Sequence, residues 1–167
     1  LKLDGRAPVP EWSSPGDPRG KIRLVDLLHM SSGLQSTEAA SEQVTDTAAM
    51  LFGAGRMDVA RHGAEHPLKY VPGKYWMYSN STSNVLSGIV RRNVGDTKEA
   101  YLKFVNDYLF DPLGMQSTTL GFDARGTFVG STYVWATARD YAKLGLLYLR
   151  GGEWQGRLIL AKNWTKF

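Results

Sequence analysis

Apolar residues recur along this chain at helical spacing in several separate segments. Large apolar side chains lie three or four positions apart in each segment, so that a helix would carry one apolar face and one polar face. The periodicity predicts four longer helices at residues 22–30, 81–93, 97–110 and 137–150, and two short ones at 45–52 and 58–62.

Proline, glycine and small polar residues separate these segments. The prolines between residues 5 and 20 exclude an α-helix there, and Asp111-Pro112 is expected to end the third long helix. The segment 35–44 is small and polar, which indicates a surface loop. The strand-like pieces are few and short, at 74–78, 117–120, 127–134 and 153–160. The pattern therefore predicts a mainly α fold with a few short strands.

Helix-capping residues lie at several of the predicted boundaries. Ser79 or Ser81 is expected to cap the second long helix, because a hydroxyl can accept a hydrogen bond from an orphan backbone N–H group. Asp96 and Thr137 each stand three residues before an acidic residue, which is the spacing of a capping box. Gly33 is expected to end the first long helix in the left-handed conformation.

Composition and charge exclude several classes of protein. The chain has 167 residues, 43% of them hydrophobic and 22% charged, which fits one globular domain. The net charge of +4 is small and the basic residues are spread out, so no nucleic-acid partner is expected. The sequence has no run of 18 apolar residues, so no membrane span is expected. The absence of cysteine excludes disulfides and thiolate metal sites.

The strongest candidate chemistry lies in the segment 72–80, Pro-Gly-Lys-Tyr-Trp-Met-Tyr-Ser-Asn, just before a predicted helix. Tyr78 and Asn80 could both point into one cleft. A phenol can relay a proton when cationic neighbours lower its pKa, and a carboxamide can hold a substrate amide with a donor and an acceptor at once. The alternative is that Tyr78 is a packed aromatic residue and Asn80 a helix cap, because Tyr-x-Asn is a common sequence.

Two histidines four residues apart, His62 and His66, are a candidate metal site. A zinc-binding His-Glu-x-x-His helix needs glutamate directly after the first histidine, where this chain has Gly63, and Pro67 ends any helix there. Both histidines are therefore interpreted as surface residues, and neither a metal nor a cofactor is expected.

Four segments, in order along the chain, resemble one superfamily. They are Leu27–Leu34 (LLHMSSGL), Pro72–Asn80 (PGKYWMYSN), Pro112–Met115 (PLGM) and the region from Gly130-Ser131 through Ala136–Ala142 (ATARDYA) to Gly151–Trp154 (GGEW). Together they resemble the serine β-lactamases and penicillin-binding proteins, including class C-like esterases and amide hydrolases. The last region is most similar to the branch that contains 6-aminohexanoate-dimer hydrolases.

The resemblance implies an α+β fold of the β-lactamase and transpeptidase type. This chain would be its central helical portion: a single, incomplete domain over residues 1–167 without the nucleophile helix and without most of the sheet. The superfamily's nucleophile lies in a Ser-x-x-Lys motif, and no serine of this chain is followed by lysine three residues later. In the superfamily a serine attacks the acyl carbon while lysine and tyrosine handle its proton.

Carried over to this sequence, the resemblance assigns Tyr78 the catalytic role of protonating the leaving group and Asn80 the role of binding the substrate's amide. The chain would be a fragment of a serine hydrolase acting on small-molecule amides or esters, inactive alone and able to self-associate through apolar surface. The resemblance favours a periplasmic or secreted location. The alternative is a non-catalytic binding or structural module that retains the hydrolase helical scaffold.

Overall fold

The computed structural model describes residues 1–38 and 45–167. Its α-helices are α1 (Leu24–Leu28), α2 (Asp46–Phe52), α3 (Val59–Ala64), α4 (Asn80–Val94), α5 (Lys98–Val105), α6 (Asp111–Leu113) and α7 (Ala138–Leu149). The strands are β1 (Thr119–Leu120), β2 (Val134–Trp135), β3 (Glu153–Trp154) and β4 (Arg157–Leu158). They form two antiparallel pairs, β1 with β2 and β3 with β4. The mainly α fold with short strands is confirmed.

Helix α4 is the longest helix described and the centre of the fold. It begins where the polar sequence predicts, because Ser79 adopts an extended conformation and its Oγ accepts from the backbone N–H of Thr82 at 3.0 Å. One face is buried through Val85 and Ile89, which join the largest apolar cluster. That cluster also contains Trp12, Ile22, Leu27 and Leu34, from the segments before α2.

Helices α3 and α4 approach each other closely because two glycines lie between them. A Cβ atom at Gly63 would be 2.6 Å from the Ser81 carbonyl oxygen, and one at Gly88 would be 2.5 Å from the Ala60 Cβ. Such distances are too short for any side chain. The two glycines therefore set the position of α4, and with it the position of the residues at its N-terminus.

The third long helix does not end at Asp111-Pro112 as predicted. Helix α5 continues through a π-helical turn at Asn106–Phe110 into α6, which ends at Gly114 with φ of 65°. Pro112 lies at the second position of α6, where the π-helical turn changes to α-helix. The prediction assumed that proline ends a helix, and it did not allow for a change from α-helix to π-helix before the proline.

Two predicted caps are wrong. Thr97, and not Asp96, caps α5: its side chain accepts from the Ala100 N–H at 3.1 Å, while Asp96 has φ of 58° and pairs with Arg91 at 3.0 Å. Gly33 has φ of 78°, but α1 has already ended at Leu28. Gly33 is required instead by close packing, because a Cβ atom there would be 2.2 Å from the Tyr70 carbonyl oxygen.

The segment 74–78 is not a strand among the described residues. Its Met77 N–H donates to the Met30 carbonyl at 2.9 Å, but no ladder of hydrogen bonds develops from that contact. The predicted strand regions at 117–120 and 127–134 shrink to the two-residue strands β1 and β2. Of the predicted surface loop at 35–44, residues 39–44 lie outside the described part of the chain.

Thr137 caps α7 as predicted, but the capping box is incomplete. Its Oγ1 accepts from the Asp140 N–H at 3.3 Å, while the Asp140 carboxylate accepts from Lys143, from the Ser117 N–H and from the Ser117 hydroxyl. The hydrogen bonds from Lys143 and then from Ser117 lower the pKa of Asp140 to about 2. Asp140 therefore stays ionised near neutral pH and joins α7 to the segment after α6.

Candidate active site

Tyr78, Ser79 and Asn80 lie at the N-terminus of α4. Ser79 is buried and caps the helix, Asn80 is the first helical residue, and the Tyr78 side chain remains 53% exposed. The Tyr78 hydroxyl donates to the Oδ1 atom of Asn80 at 3.0 Å. The structure therefore brings the two predicted site residues into direct contact, and it leaves the phenol accessible from solvent.

The carboxamide of Asn80 is engaged on both sides. Its Nδ2 atom donates to Glu38 Oε2 at 2.7 Å and to Thr47 Oγ1 at 2.8 Å. Its Oδ1 atom accepts from Tyr78. A carboxamide has two N–H donors and one oxygen with two lone pairs. Both donors are therefore used within the chain, and only acceptor capacity on Oδ1 is left for a further partner.

Glu38 and Thr47 are the two site residues that sequence reasoning did not find. Glu38 also accepts from the Asn80 backbone N–H at 2.8 Å, and the Thr47 hydroxyl donates to Glu38 Oε2 at 2.6 Å. A carboxylate at a helix N-terminus is favoured by the helix dipole and by the unpaired N–H groups there. Nothing in the spacing of the sequence indicates contacts that span 42 and 33 positions.

Two of the resemblance motifs are joined to α4 close behind the site. The Ser32 hydroxyl is 3.1 Å from that of Thr82, and Asn84 Nδ2 donates to Ser131 Oγ at 3.0 Å. Asn84 is fully buried and lies one turn after Asn80 on the same helix. The Ser-Ser-Gly-Leu and Gly-Ser segments therefore support the Tyr-Ser-Asn segment from two sides.

The Pro-Leu-Gly-Met turn and the Gly-Gly-Glu-Trp end of the fourth segment lie elsewhere and are structural. Leu113 and Met115, from the Pro-Leu-Gly-Met turn, pack with Leu147 of α7 in a separate apolar cluster. Trp154, from the Gly-Gly-Glu-Trp segment, packs against the same cluster. These residues hold α6, α7 and the second pair of strands together.

His62 and His66 are half-buried, and the interpretation as surface residues is wrong. Their rings lie 5.3 Å apart at 85°, and within residues 1–38 and 45–167 neither buried Nε2 atom has a hydrogen-bond partner. Burial lowers the pKa of His66, which favours its neutral form.

The described residues contain no group of three or more His, Cys, Asp or Glu side chains that could hold a metal ion. Nor does the described part of the chain include a helix long and apolar enough to cross a membrane.

Solved structures resemble this chain closely in fold. A Bacillus anthracis protein assigned as a 6-aminohexanoate-dimer hydrolase superposes with a TM-score of 0.82 at 22% identity, over 99% of this chain and 46% of its own. A Bacteroides dorei protein assigned as a β-lactamase has a TM-score of 0.70 at 18% identity, over 99% and 48%. A penicillin-binding protein from Bacillus halodurans has a TM-score of 0.68 at 18% identity, over 99% and 56%.

The chain therefore spans about half the length of the structures it resembles. None of the curated proteins compared with it matches its sequence. The family profile described as Beta-lactamase, however, matches residues 2–166, which is nearly the whole chain. The chain belongs to the Beta-lactamase family.

Proposed function

We propose that this chain supplies the tyrosine and the asparagine of a serine hydrolase that cleaves amide or ester bonds through an acyl-enzyme. The observation that carries the proposal is the exposed Tyr78 hydroxyl, held by Asn80 at the N-terminus of α4. An accessible phenol in a fixed position can pass a proton to a leaving amine or alkoxide as the acyl group is transferred.

In this mechanism the serine oxygen loses its proton as it forms a bond to the acyl carbon, the bond to the leaving group breaks, and the leaving group departs with that proton, passed on through Tyr78. Water then attacks the acyl carbon, which releases the acid and returns a proton to the serine oxygen. Asn80 would contribute through the second lone pair of Oδ1, which can accept an N–H from the substrate's amide while the first lone pair holds Tyr78. The donors of Asn80 would stay on Glu38 and Thr47.

The nucleophile would come from another segment. No serine of this chain is followed by lysine three residues later, and an unactivated serine hydroxyl is a weak nucleophile. We therefore propose that a longer hydrolase, in which this chain is joined to a Ser-x-x-Lys segment, carries out the reaction. Its substrate would be a small molecule with an amide or ester bond.

The chain alone is expected to be inactive, because loss of the nucleophile removes most of the rate acceleration of an acyl-transfer enzyme. Purified chain should hydrolyse neither nitrocefin nor p-nitrophenyl acetate above background, and fluorophosphonate and penicillin probes should not label it. An active serine β-lactamase at the same concentration is the positive control. Stoichiometric acylation of any serine in the chain would refute the proposal that the nucleophile comes from another segment.

Self-association is the second expectation for the chain alone. Phe104 and Tyr108 lie on the surface with ring centroids 5.1 Å apart, and Leu149 at the end of α7 is 84% exposed. Burying a large apolar side chain is worth roughly 1.5–3 kcal/mol, so contacts between copies through such residues are favourable.

Light scattering over a concentration series should therefore show a molar mass that rises with concentration, and Leu149→Lys should weaken this rise. A chain that stays monomeric at millimolar concentration and binds no hydrophobic dye would contradict the expectation. It would favour a self-contained module.

A further inference from the structure

We infer that Glu38 is a positioning residue, which fixes the direction of the Asn80 carboxamide and thereby makes the Tyr78 hydroxyl a hydrogen-bond donor to Asn80. The inference rests on the proposed function where it concerns catalysis, because the direction of this bond affects turnover only if Tyr78 transfers a proton. The arrangement itself is a property of the chain and can be tested without any activity.

The Glu38 carboxylate accepts four hydrogen bonds, two on each oxygen. Oε1 accepts from the Ser36 hydroxyl at 2.6 Å and from the Asn80 backbone N–H at 2.8 Å. Oε2 accepts from the Thr47 hydroxyl at 2.6 Å and from Asn80 Nδ2 at 2.7 Å. An ionised carboxylate is an acceptor with about four lone-pair positions, so all of them are used. Such charge-assisted hydrogen bonds are stronger than those between neutral groups.

The backbone around Glu38 is itself tied to α2. The Asp46 N–H donates to the Thr37 carbonyl at 3.0 Å, and the Asp46 carboxylate accepts from the Thr37 N–H. Thr37 and Asp46 are the neighbours of Glu38 and Thr47 in the sequence. The two groups that face the Asn80 carboxamide are therefore held in position together.

This arrangement determines which way the carboxamide of Asn80 points. Its NH₂ group must face Glu38, because an oxygen in that place would meet a carboxylate oxygen. The Thr47 hydroxyl donates its one hydrogen to Glu38 and can therefore only accept from Asn80. The carboxamide oxygen is left facing Tyr78, so the phenol must donate. Hydrogen bonds run in one direction, from Tyr78 through Asn80 to Glu38.

The direction matters for proton transfer. With its hydrogen aimed at Asn80, the Tyr78 oxygen keeps its lone pairs available for the proton of the attacking serine. As it takes up that proton, Tyr78 passes its own hydrogen from Asn80 to the leaving group, so that the phenol stays neutral. The negative charge of Glu38 also polarises the carboxamide and makes Oδ1 a better acceptor. If the carboxamide were reversed, its NH₂ group would occupy one of those lone pairs and hinder proton uptake by Tyr78.

Glu38→Gln should reverse this direction without changing the size of the side chain. Glutamine has one acceptor oxygen and one NH₂ group, and the backbone N–H of Asn80 is a fixed donor that needs the oxygen. The NH₂ group of Gln would then face the carboxamide of Asn80. That carboxamide is expected to turn over, so that its oxygen meets Gln and its NH₂ group meets Tyr78.

The double variant Glu38→Gln, Asn80→Asp should restore an acceptor for Tyr78. One Asp oxygen can accept from the NH₂ group of Gln and the other from the Tyr78 hydroxyl, so every polar group again has a partner. Glu65→Gln is the matched control: Glu65 is an exposed glutamate that pairs with Arg61 at 2.7 Å, outside the network around Asn80.

NMR of the ¹⁵N-labelled chain tests the arrangement directly. In the unchanged chain the Asn80 Hδ2 protons should show NOEs to the Thr47 methyl group and none to the Tyr78 ring. In Glu38→Gln the pattern should reverse, and in Glu65→Gln it should stay as it was. NOEs from Hδ2 to the Tyr78 ring in the unchanged chain would overturn the inference even if Glu38→Gln failed to fold. An unchanged pattern in folded Glu38→Gln would also overturn it.

In the longer hydrolase, Glu38→Gln should lower kcat on the order of 10- to 100-fold with little change in KM, since the loss concerns the geometry of proton transfer. The double variant should recover most of kcat while KM rises, because Asp at position 80 binds the substrate's amide differently. Equal kcat for Glu38→Gln and Glu65→Gln would overturn the catalytic part. If the unchanged hydrolase shows no turnover, the proposed function fails. The NMR experiment still tests whether Glu38 fixes the direction of the Asn80 carboxamide.

Discussion

Replacing Tyr78 by phenylalanine should lower the turnover of the longer hydrolase that we propose by about 100-fold or more, which is typical for losing a general acid–base. The substitution removes one oxygen atom and keeps the ring. The hydroxyl is exposed and its hydrogen bond to Asn80 lies at the surface, so the free energy of unfolding should change by no more than about 1 kcal/mol. Steady-state kinetics with an amide or ester substrate, paired with thermal unfolding, measures both effects.

Tyr108→Phe is the matched control for this experiment. Tyr108 is also exposed, at 67%, and lies in the π-helical turn after α5. Its ring contacts that of Phe104. It should retain the turnover of the unchanged protein. Near-normal turnover in folded Tyr78→Phe would remove Tyr78 from the mechanism, and a loss of equal size in Tyr108→Phe would show that the effect is not specific to the site.

The parts of the fold that the sequence predicts well are those that depend on local interactions. Helix α4 and its cap at Ser79 follow from a hydroxyl placed before an apolar periodicity, and α7 follows from Thr137 in the same way. The errors arise where two local rules compete. Asp96 and Thr97 can both cap a helix, and the choice of Thr97 depends on Arg91, which pairs with Asp96 from the preceding helix.

In the candidate site, too, only the contact between residues close in sequence could be predicted. Tyr78 and Asn80 are two residues apart, and their contact at the start of α4 could be anticipated from the sequence. Glu38 and Thr47 could not be, because they reach Asn80 only through the packing of distant segments. Short polar segments carry no periodicity that would indicate their partners.

Substituting alanine for two helical glycines should change stability in opposite directions. Alanine normally stabilises a helix interior by about 1 kcal/mol relative to glycine. At Gly145 in α7 nothing lies within 4 Å of an added Cβ, so Gly145→Ala should raise the free energy of unfolding by roughly 0.5–1 kcal/mol. At Gly88 the added Cβ would be 2.5 Å from that of Ala60, and overpacking of this kind costs typically about 1–3 kcal/mol.

The net effect of Gly88→Ala should therefore be a loss of up to about 2 kcal/mol, after the gain of about 1 kcal/mol in helix propensity is subtracted. Urea denaturation of both variants and of the unchanged chain measures the difference, and a shift of the same sign in both would show that α3 and α4 separate easily. Because α4 begins at Asn80, pushing it away from α3 also displaces the carboxamide from Glu38. Gly88→Ala should accordingly weaken the Asn80 Hδ2 contact with Thr47, and Gly145→Ala should leave that contact unchanged.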